Sequence, residues 1–198
     1  TNTVTITGSN FEEPVDVTGQ RRFAEFQTKY KWWAGKSVRD VEVYLTKALH
    51  VPAFIDQDGR LCALYQAAEG PAKDFNSSLT VAIGTSISGG FVFLGKVFQG
   101  QMTSQLSHMV VHPNGDACGG HKGCLKTLVG KDAREKLSCD LSLPMDSKGV
   151  YDLARDNNKA AIEFFNTLAE RLADALAKIL RALPVECVVI AGGVAKAG

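Results

Sequence analysis

Residues 81–126 read VAIGTSISGGFVFLGKVFQGQMTSQLSHMVVHPNGDACGGHKGCLK, and the fold is decided there. An apolar run at 79–83 leads into the small-residue turn Gly84-Thr85-Ser86-Ile87-Ser88-Gly89-Gly90, and a second apolar run at 91–94 leads out of it. A turn of this kind between two strands lets backbone N–H groups approach an anion closely, because little side chain stands in the way. Further on come His108, Cys118 and Cys124. One imidazole and two thiols at loop spacing are the donor types of a metal-bound loop.

Bulk properties narrow the reading. The chain has 198 residues, 45% of them hydrophobic, which is enough for a packed core in one or two domains. A formal net charge of +1 leaves no electrostatic footprint for nucleic acid or an acidic membrane surface. No apolar run approaches the roughly 20 residues a membrane-spanning helix needs, and no signal-peptide pattern opens the chain. Five cysteines, an odd number, do not suggest a disulfide framework. The expectation is a soluble, cytoplasmic protein of a reducing compartment.

Working outward, residues 3–7 alternate β-branched side chains and predict a strand, and 8–19 predict a loop. Ser37 is placed to cap a helix reaching Leu49, with Val38, Val41, Leu45 and Leu49 on one face. A short buried strand is expected at 52–55. A helix over 59–69 follows, with Leu61, Leu64, Ala67 and Ala68 turned inward. Residues 79–83, 90–94 and 96–98 predict a strand and a hairpin whose turn holds Gly95-Lys96, and 112–123 predict a loop rich in Pro, Asn, Gly and Asp. Ile162, Phe165, Leu168, Leu172, Leu176, Ile179 and Leu183 recur at helical spacing and predict a long core helix over 158–183, with a buried strand at 185–191 behind it. Cys62, Cys139 and Cys187 lie in apolar stretches and are expected to be buried packing residues.

The order of motifs resembles one family, the ROK group (repressor, open reading frame, kinase) of sugar kinases and sugar-sensing regulators. Family members read G-T-G-x-G-G-G at the turn, E-x-G-H about twenty residues later, and then C-x-C-G-x-x-G-C-x-E. The corresponding residues are Gly84 to Gly90, Gln105-Leu106-Ser107-His108, and Cys118-Gly119-Gly120-His121-Lys122-Gly123-Cys124-Leu125-Lys126. Upstream, Trp32-Trp33-Ala34-Gly35 and Asp56-Gln57-Asp58 match a tryptophan segment and an E-N-D motif. Downstream, Val188-Val189-Ile190-Ala191-Gly192-Gly193-Val194 matches a strand ending in G-G-V. The resemblance implies an α/β protein of the actin-like ATPase (ribonuclease H-like) fold, mostly its large lobe. Residues 1–58 would be part of the small lobe with a hinge strand. Residues 59–198 would be the large lobe, with phosphate turn, metal loop and the start of the adenosine site. The family's opening D-x-G-G-T hairpin and its last segment have no counterpart, so the chain is expected to be a fragment with little kinase activity alone.

The resemblance also implies site residues. Asp58 takes the place of the catalytic base; on its own chemistry it reads equally as part of an exposed Asp-Gly turn. Gly84, Thr85 and Ser86 would hold nucleotide phosphates, and Gly192 and Gly193 would lie at the adenosine. Gln57, Gln105, His108 and Lys126 would face the sugar. Gln57 stands where the family has asparagine, and Gln105 and Lys126 where it has glutamates. A carboxylate accepts from hydroxyls whereas lysine only donates, so Lys126 reverses hydrogen-bond polarity at that point. The family's loop holds zinc with one histidine and three cysteines. Here the loop is one residue short, leaving His108, Cys118 and Cys124, and a fourth ligand would have to be His121, His112 or Asp116.

Three functions remain open from the sequence. One is an ATP-dependent sugar kinase using Mg2+, with a structural zinc and a homodimeric state implied by the family. Another is the sugar-sensing domain of a transcriptional regulator. The third is a degenerate, non-catalytic relative.

Overall fold

The computed structural model describes residues 4–7, 37–98 and 106–197. The expected loop at 8–19, the tryptophan segment and Gln105 lie outside the described residues.

Helix α1 (Val38–Leu49) starts at Ser37, as its sequence requires. The Ser37 hydroxyl accepts from the Asp40 N–H at 3.2 Å, and the Asp40 carboxylate accepts from the Ser37 N–H at 2.8 Å. This reciprocal pair satisfies two backbone donors that the first helical turn leaves without partners. Strands β1 (Val4–Thr7) and β2 (Ala53–Asp56) pair in parallel, Thr7 opposite Asp56. Side chains of α1 tie it to β2: Thr46 accepts from the Ala53 N–H at 3.0 Å and Glu42 from the Ile55 N–H at 2.9 Å.

Helix α2 (Asp58–Ala68) follows β2 at once, with Gln57 as its cap residue. Its inward face is not the predicted one. Gly59 and Ala63 are buried, whereas Leu64 and Ala68 are exposed and Leu61 and Ala67 only half-buried. The reason is close approach. A Cβ on Gly59 would collide with the Gly89 nitrogen, and one on Gly90 would sit 3.0 Å from the Ala63 Cβ. Small residues one turn apart let the helix lie directly on the sheet, and a leucine face would hold it off.

The main sheet has the order β5-β4-β3-β8. Strand β3 (Ser77–Ile83) pairs antiparallel with β4 (Ile87–Phe93) and parallel with β8 (Cys187–Ala191). The next hairpin turns at Leu94-Gly95, both with positive φ (50° and 73°), one residue earlier than expected, before β5 (Lys96–Val97). Alternation along β3 sends Leu79, Val81 and Ile83 into a core shared with Phe91, Leu106 and four helices. These are α3 (Leu125–Val129), α4 (Lys131–Asp140), α5 (Ser147–Arg155) and α6 (Lys159–Ala182).

Helix α6 is long and one-faced as predicted, but rolled at its start. Ala161 and Phe164 are fully buried, while Ile162 is 40% exposed and Leu183 41%. Phe164 takes the deep position and meets Phe165 edge to face, ring centroids 5.2 Å apart. Of the cysteines expected in the core, Cys62 and Cys187 are half-buried and Cys139 is exposed on α4. Among the described residues no helix is long and apolar enough to cross a membrane.

The roll of α6 makes unequal demands on two neighbouring apolar residues. Phe164→Ala should cost about 3–5 kcal/mol through the cavity it leaves. Ile162→Ala should cost less than about 1 kcal/mol. Urea midpoints of the two variants measure this, and equal losses would restore the originally expected face.

Candidate functional site

The β3–β4 hairpin ends in Gly84-Thr85-Ser86, closed by the Gly84 N–H donating to the Ser86 carbonyl at 2.9 Å. Gly192 follows β8 at φ +96°, and a Cβ there would strike the Ile83 carbonyl oxygen. Only glycine suits such a contact at positive φ. The close approach brings Gly193 to the same cavity wall as Gly84 and Thr85. The cavity measures about 890 Å3, within the range of small-molecule sites. Of the five residues assigned to nucleotide by resemblance, Gly84, Thr85 and Gly193 line it; Ser86 and Gly192 adjoin those in sequence.

The rest of the lining comes from α4 and α5 and was not foreseen. It includes Lys131, Arg134, Lys148, Tyr151 and Arg155. Lys148 pairs with Asp152 at 2.7 Å, which raises the lysine pKa by hydrogen bonding and charge. The Arg155 guanidinium stands 5.9 Å from the centre of the Tyr151 ring. Aromatic and cationic groups lining one cavity with a glycine turn suit a flat base carrying phosphates. A capping aspartate, Asp146, whose side chain accepts from the Gly149 N–H at 2.7 Å, is the sequence signal that could have revealed α5.

Asp58 is the first residue of α2, exposed, with Oδ1 accepting from the Gly59 N–H at 2.7 Å. It lies in a helix start rather than a free Asp-Gly turn. Because Gly59 rests on Ser88 and Gly89, Asp58 is held beside the strand that leaves the Gly84–Ser86 turn. Gln57 is 9% exposed behind it. On β4, a Cβ at Gly89 would come 2.8 Å from Leu106. Leu106 opens the 3-10 turn Leu106–His108, which carries His108 and packs on α3, the helix of half-buried Lys126.

His108, Cys118, His121 and Cys124 each offer a ligand atom, and these atoms lie within 4.8 Å of one another. The Cys118 Sγ is 3.4 Å from the His108 Nδ1. A tetrahedral zinc with bonds of about 2.3 Å to sulfur and 2.0 Å to nitrogen separates such atoms by about 3.5 Å. Local pairing explains how His121 arrives. Strands β6 (Ala117–Cys118) and β7 (His121–Lys122) form a two-residue hairpin over Gly119-Gly120, with Cys118 directly opposite His121. Gly123, at φ +67°, folds onto His112, where a Cβ would strike the carbonyl oxygen; this delivers Cys124 to the start of α3. His112 and Asp116 are outside the cluster.

The four donors fit a closed, structural site. Without metal, burial first, then the Cys118 thiol, push the Cys124 pKa up to about 12. Metal must therefore displace its proton, so zinc affinity should rise with pH across neutrality. In the metal-free chain the raised pKa gives stability that is full below 9.0, the ordinary thiol value, and is lost as pH rises toward about 12. Denaturation midpoints with chelator should fall over that window, and those with zinc should not. Elemental analysis should find about one zinc per chain, lost in His121→Ala and retained in His112→Ala.

The comparisons with known proteins agree with this geometry. The model of the ROK family matches residues 20–198. A glucokinase of Halalkalibacterium halodurans is 28% identical over 173 residues, 78% of this chain and 52% of that protein. A glucokinase of Thermotoga maritima is 24% identical over 203 residues, 93% of this chain and 63% of that one. The crystal structure of a ROK hexokinase from Thermus thermophilus superimposes with a TM-score of 0.69 at 30% identity, covering 79% of this chain and 54% of that chain. A ROK family transcriptional regulator, a homologue of the E. coli MLC protein, gives 0.68 at 25% identity, covering 79% and 43%. The chain spans about half the length of the curated relatives it matches. With its motifs in family order and its sheet superimposing on that hexokinase, the chain belongs to the ROK family and has the mixed α/β, actin-like ATPase fold of its kinases.

Proposed function

We propose that the chain forms the large lobe, with part of the small lobe, of an ATP-dependent sugar kinase acting on a hexose or amino sugar. Residues 1–58 supply the small-lobe part and hinge strand, and 59–198 the large lobe. The observation that carries the reading is the seating of Gly59 on Ser88 and Gly89. It sets a carboxylate, Asp58, beside the strand leading from the Gly84–Ser86 turn. Phosphoryl transfer needs those two parts near each other: a base for the acceptor hydroxyl and donors for the phosphates.

In this reading the Asp58 carboxylate accepts the proton of the sugar hydroxyl. The hydroxyl oxygen bonds to the terminal phosphorus of ATP as the bond to the bridging oxygen breaks, and ADP leaves. Mg2+ accompanies the nucleotide. The Gly84–Ser86 turn donates to the phosphates, and Gly192-Gly193 border the adenosine with Tyr151 and Arg155 across the cavity. Gln57, Gln105, His108 and Lys126 face the sugar. Zinc on His108, Cys118, His121 and Cys124 would fix the His108 ring and stiffen the loop. Relatives named N-acetyl-D-glucosamine kinase (Haemophilus influenzae) and N-acetylmannosamine kinase (Yersinia pestis) support the amino-sugar arm of the proposal. The protein is expected to act in the cytoplasm and as a homodimer, without nucleic acid bound by this segment.

The likeness to the regulator favours a second reading, a sugar-sensing domain that binds sugar and transfers no phosphate. Gln105 and Lys126, which replace acceptor carboxylates, suit either that reading or a non-catalytic relative. Turnover separates them. With a panel of hexoses and amino sugars, ADP release by a full-length version should depend on sugar, and Asp58→Asn should lower it about 10²–10⁴-fold with an unchanged fold. An Asp58→Asn variant keeping more than half of the activity would remove Asp58 from the mechanism. Sugar binding by the full-length version without any turnover would contradict the kinase reading.

A further inference from the structure

Arg134 is 6% exposed, yet no carboxylate pairs with it among the described residues. Its sequence neighbour Glu135 pairs with Lys131 instead, at 3.5 Å. The guanidinium bridges two backbone carbonyls. Nη1 donates to Val129 at the end of α3, at 2.9 Å, and Nη2 donates to Gly84 in the phosphate turn, at 2.6 Å. Nε is buried without a hydrogen-bond partner among the described residues. Glu135 attracts it only from beyond ion-pair distance, and a buried cation without a direct ion pair is an expensive feature to keep for stability alone. The same side chain forms part of the cavity wall together with Gly84 and Thr85.

The geometry points to Arg134 as a positioning residue for the nucleotide phosphates, acting through the Gly84–Thr85 peptide. This rests on the proposed nucleotide site. The Gly84 carbonyl and the Thr85 N–H belong to one planar, trans peptide unit, so they point in opposite directions. Anchoring the oxygen on Arg134 therefore fixes the Thr85 N–H on the side away from the guanidinium. The cation also polarises the peptide, which strengthens that N–H as a donor. The second bond, to Val129, ties the turn to the α3–α4 corner, so the turn keeps its orientation without ligand. Only a planar fork reaches two divergent carbonyls at once; an ammonium on a flexible stem keeps the charge and loses the clamp. An anion on the Thr85 amide adds a counter-charge across a single peptide.

The test compares ATP with adenosine by titration calorimetry on the wild-type chain, Arg134→Gln and Arg134→Lys. Arg134→Gln is expected to weaken ATP binding at least about tenfold and to leave adenosine within about twofold, with Arg134→Lys between. In a kinase assay of the full-length version, KM for ATP should rise while KM for sugar stays unchanged. Equal losses for ATP and adenosine would mean a purely structural side chain and overturn the inference. So would unchanged ATP affinity in Arg134→Gln. If Arg134→Gln fails to fold, Arg134→Lys decides by the same ATP-to-adenosine comparison. A wild-type chain that binds adenosine and ATP equally would overturn the inference and leave the nucleotide cavity standing. One that binds neither would overturn both.

Discussion

Gly59 resting on Gly89 is the contact on which the candidate site depends. Helix α2 can lie on β4 only because neither residue has a side chain, and a Cβ at Gly89 would itself run into the Thr80 carbonyl oxygen. Overpacking of this kind costs about 1–3 kcal/mol even where neighbours can shift, and here the obstacles are backbone. The contact fixes the start of α2, and with it Asp58, relative to the turn that opens the same strand. A second glycine contact, Gly192 against Ile83, closes the cavity from the β8 side. Backbone touching backbone gives positions that side-chain repacking cannot blur.

The loop around the His108, Cys118, His121 and Cys124 cluster poses a different problem. Metal on its four donors would add binding free energy to the holding of that loop. Between Cys118 and Cys124 the chain forms a two-residue hairpin, whose cross-strand pairing puts His121 opposite Cys118. His108 joins the cluster from the 3-10 turn that also touches β4 and α3. The His–Cys cluster, Asp58 and the Gly84–Ser86 turn thus share one strand as their common support.

Much of this was legible in the sequence because the signals were local. Ser37 with Asp40 specifies a helix start, glycines specify the hairpin, and the long 3.6-residue period specifies α6. The family likeness, carried by motif order, supplied the fold and the candidates Asp58, Gly84, His108 and the two cysteines. Two things were hidden. The packing face of α2 was misread because apolar bulk normally marks the inside, and here the inside is marked by its absence at Gly59 and Ala63. Arg134 was missed because it sits in Lys-Asp-Ala-Arg-Glu-Lys, a run that looks like a solvated helix face. Its burial follows from the tertiary placement of α4 beside the turn, which no local pattern encodes.

The central claim is that the β3–β4 turn is a preformed phosphate site beside the base-bearing end of α2. Backbone amide resonances followed during titration with a non-hydrolysable ATP analogue and Mg2+ test it directly. Saturable shifts should centre on Thr85, Ser86 and Gly193, with those of Gly119 and Gly120 in the metal hairpin unmoved. Shifts confined to other surfaces, or none at saturating analogue, would contradict it.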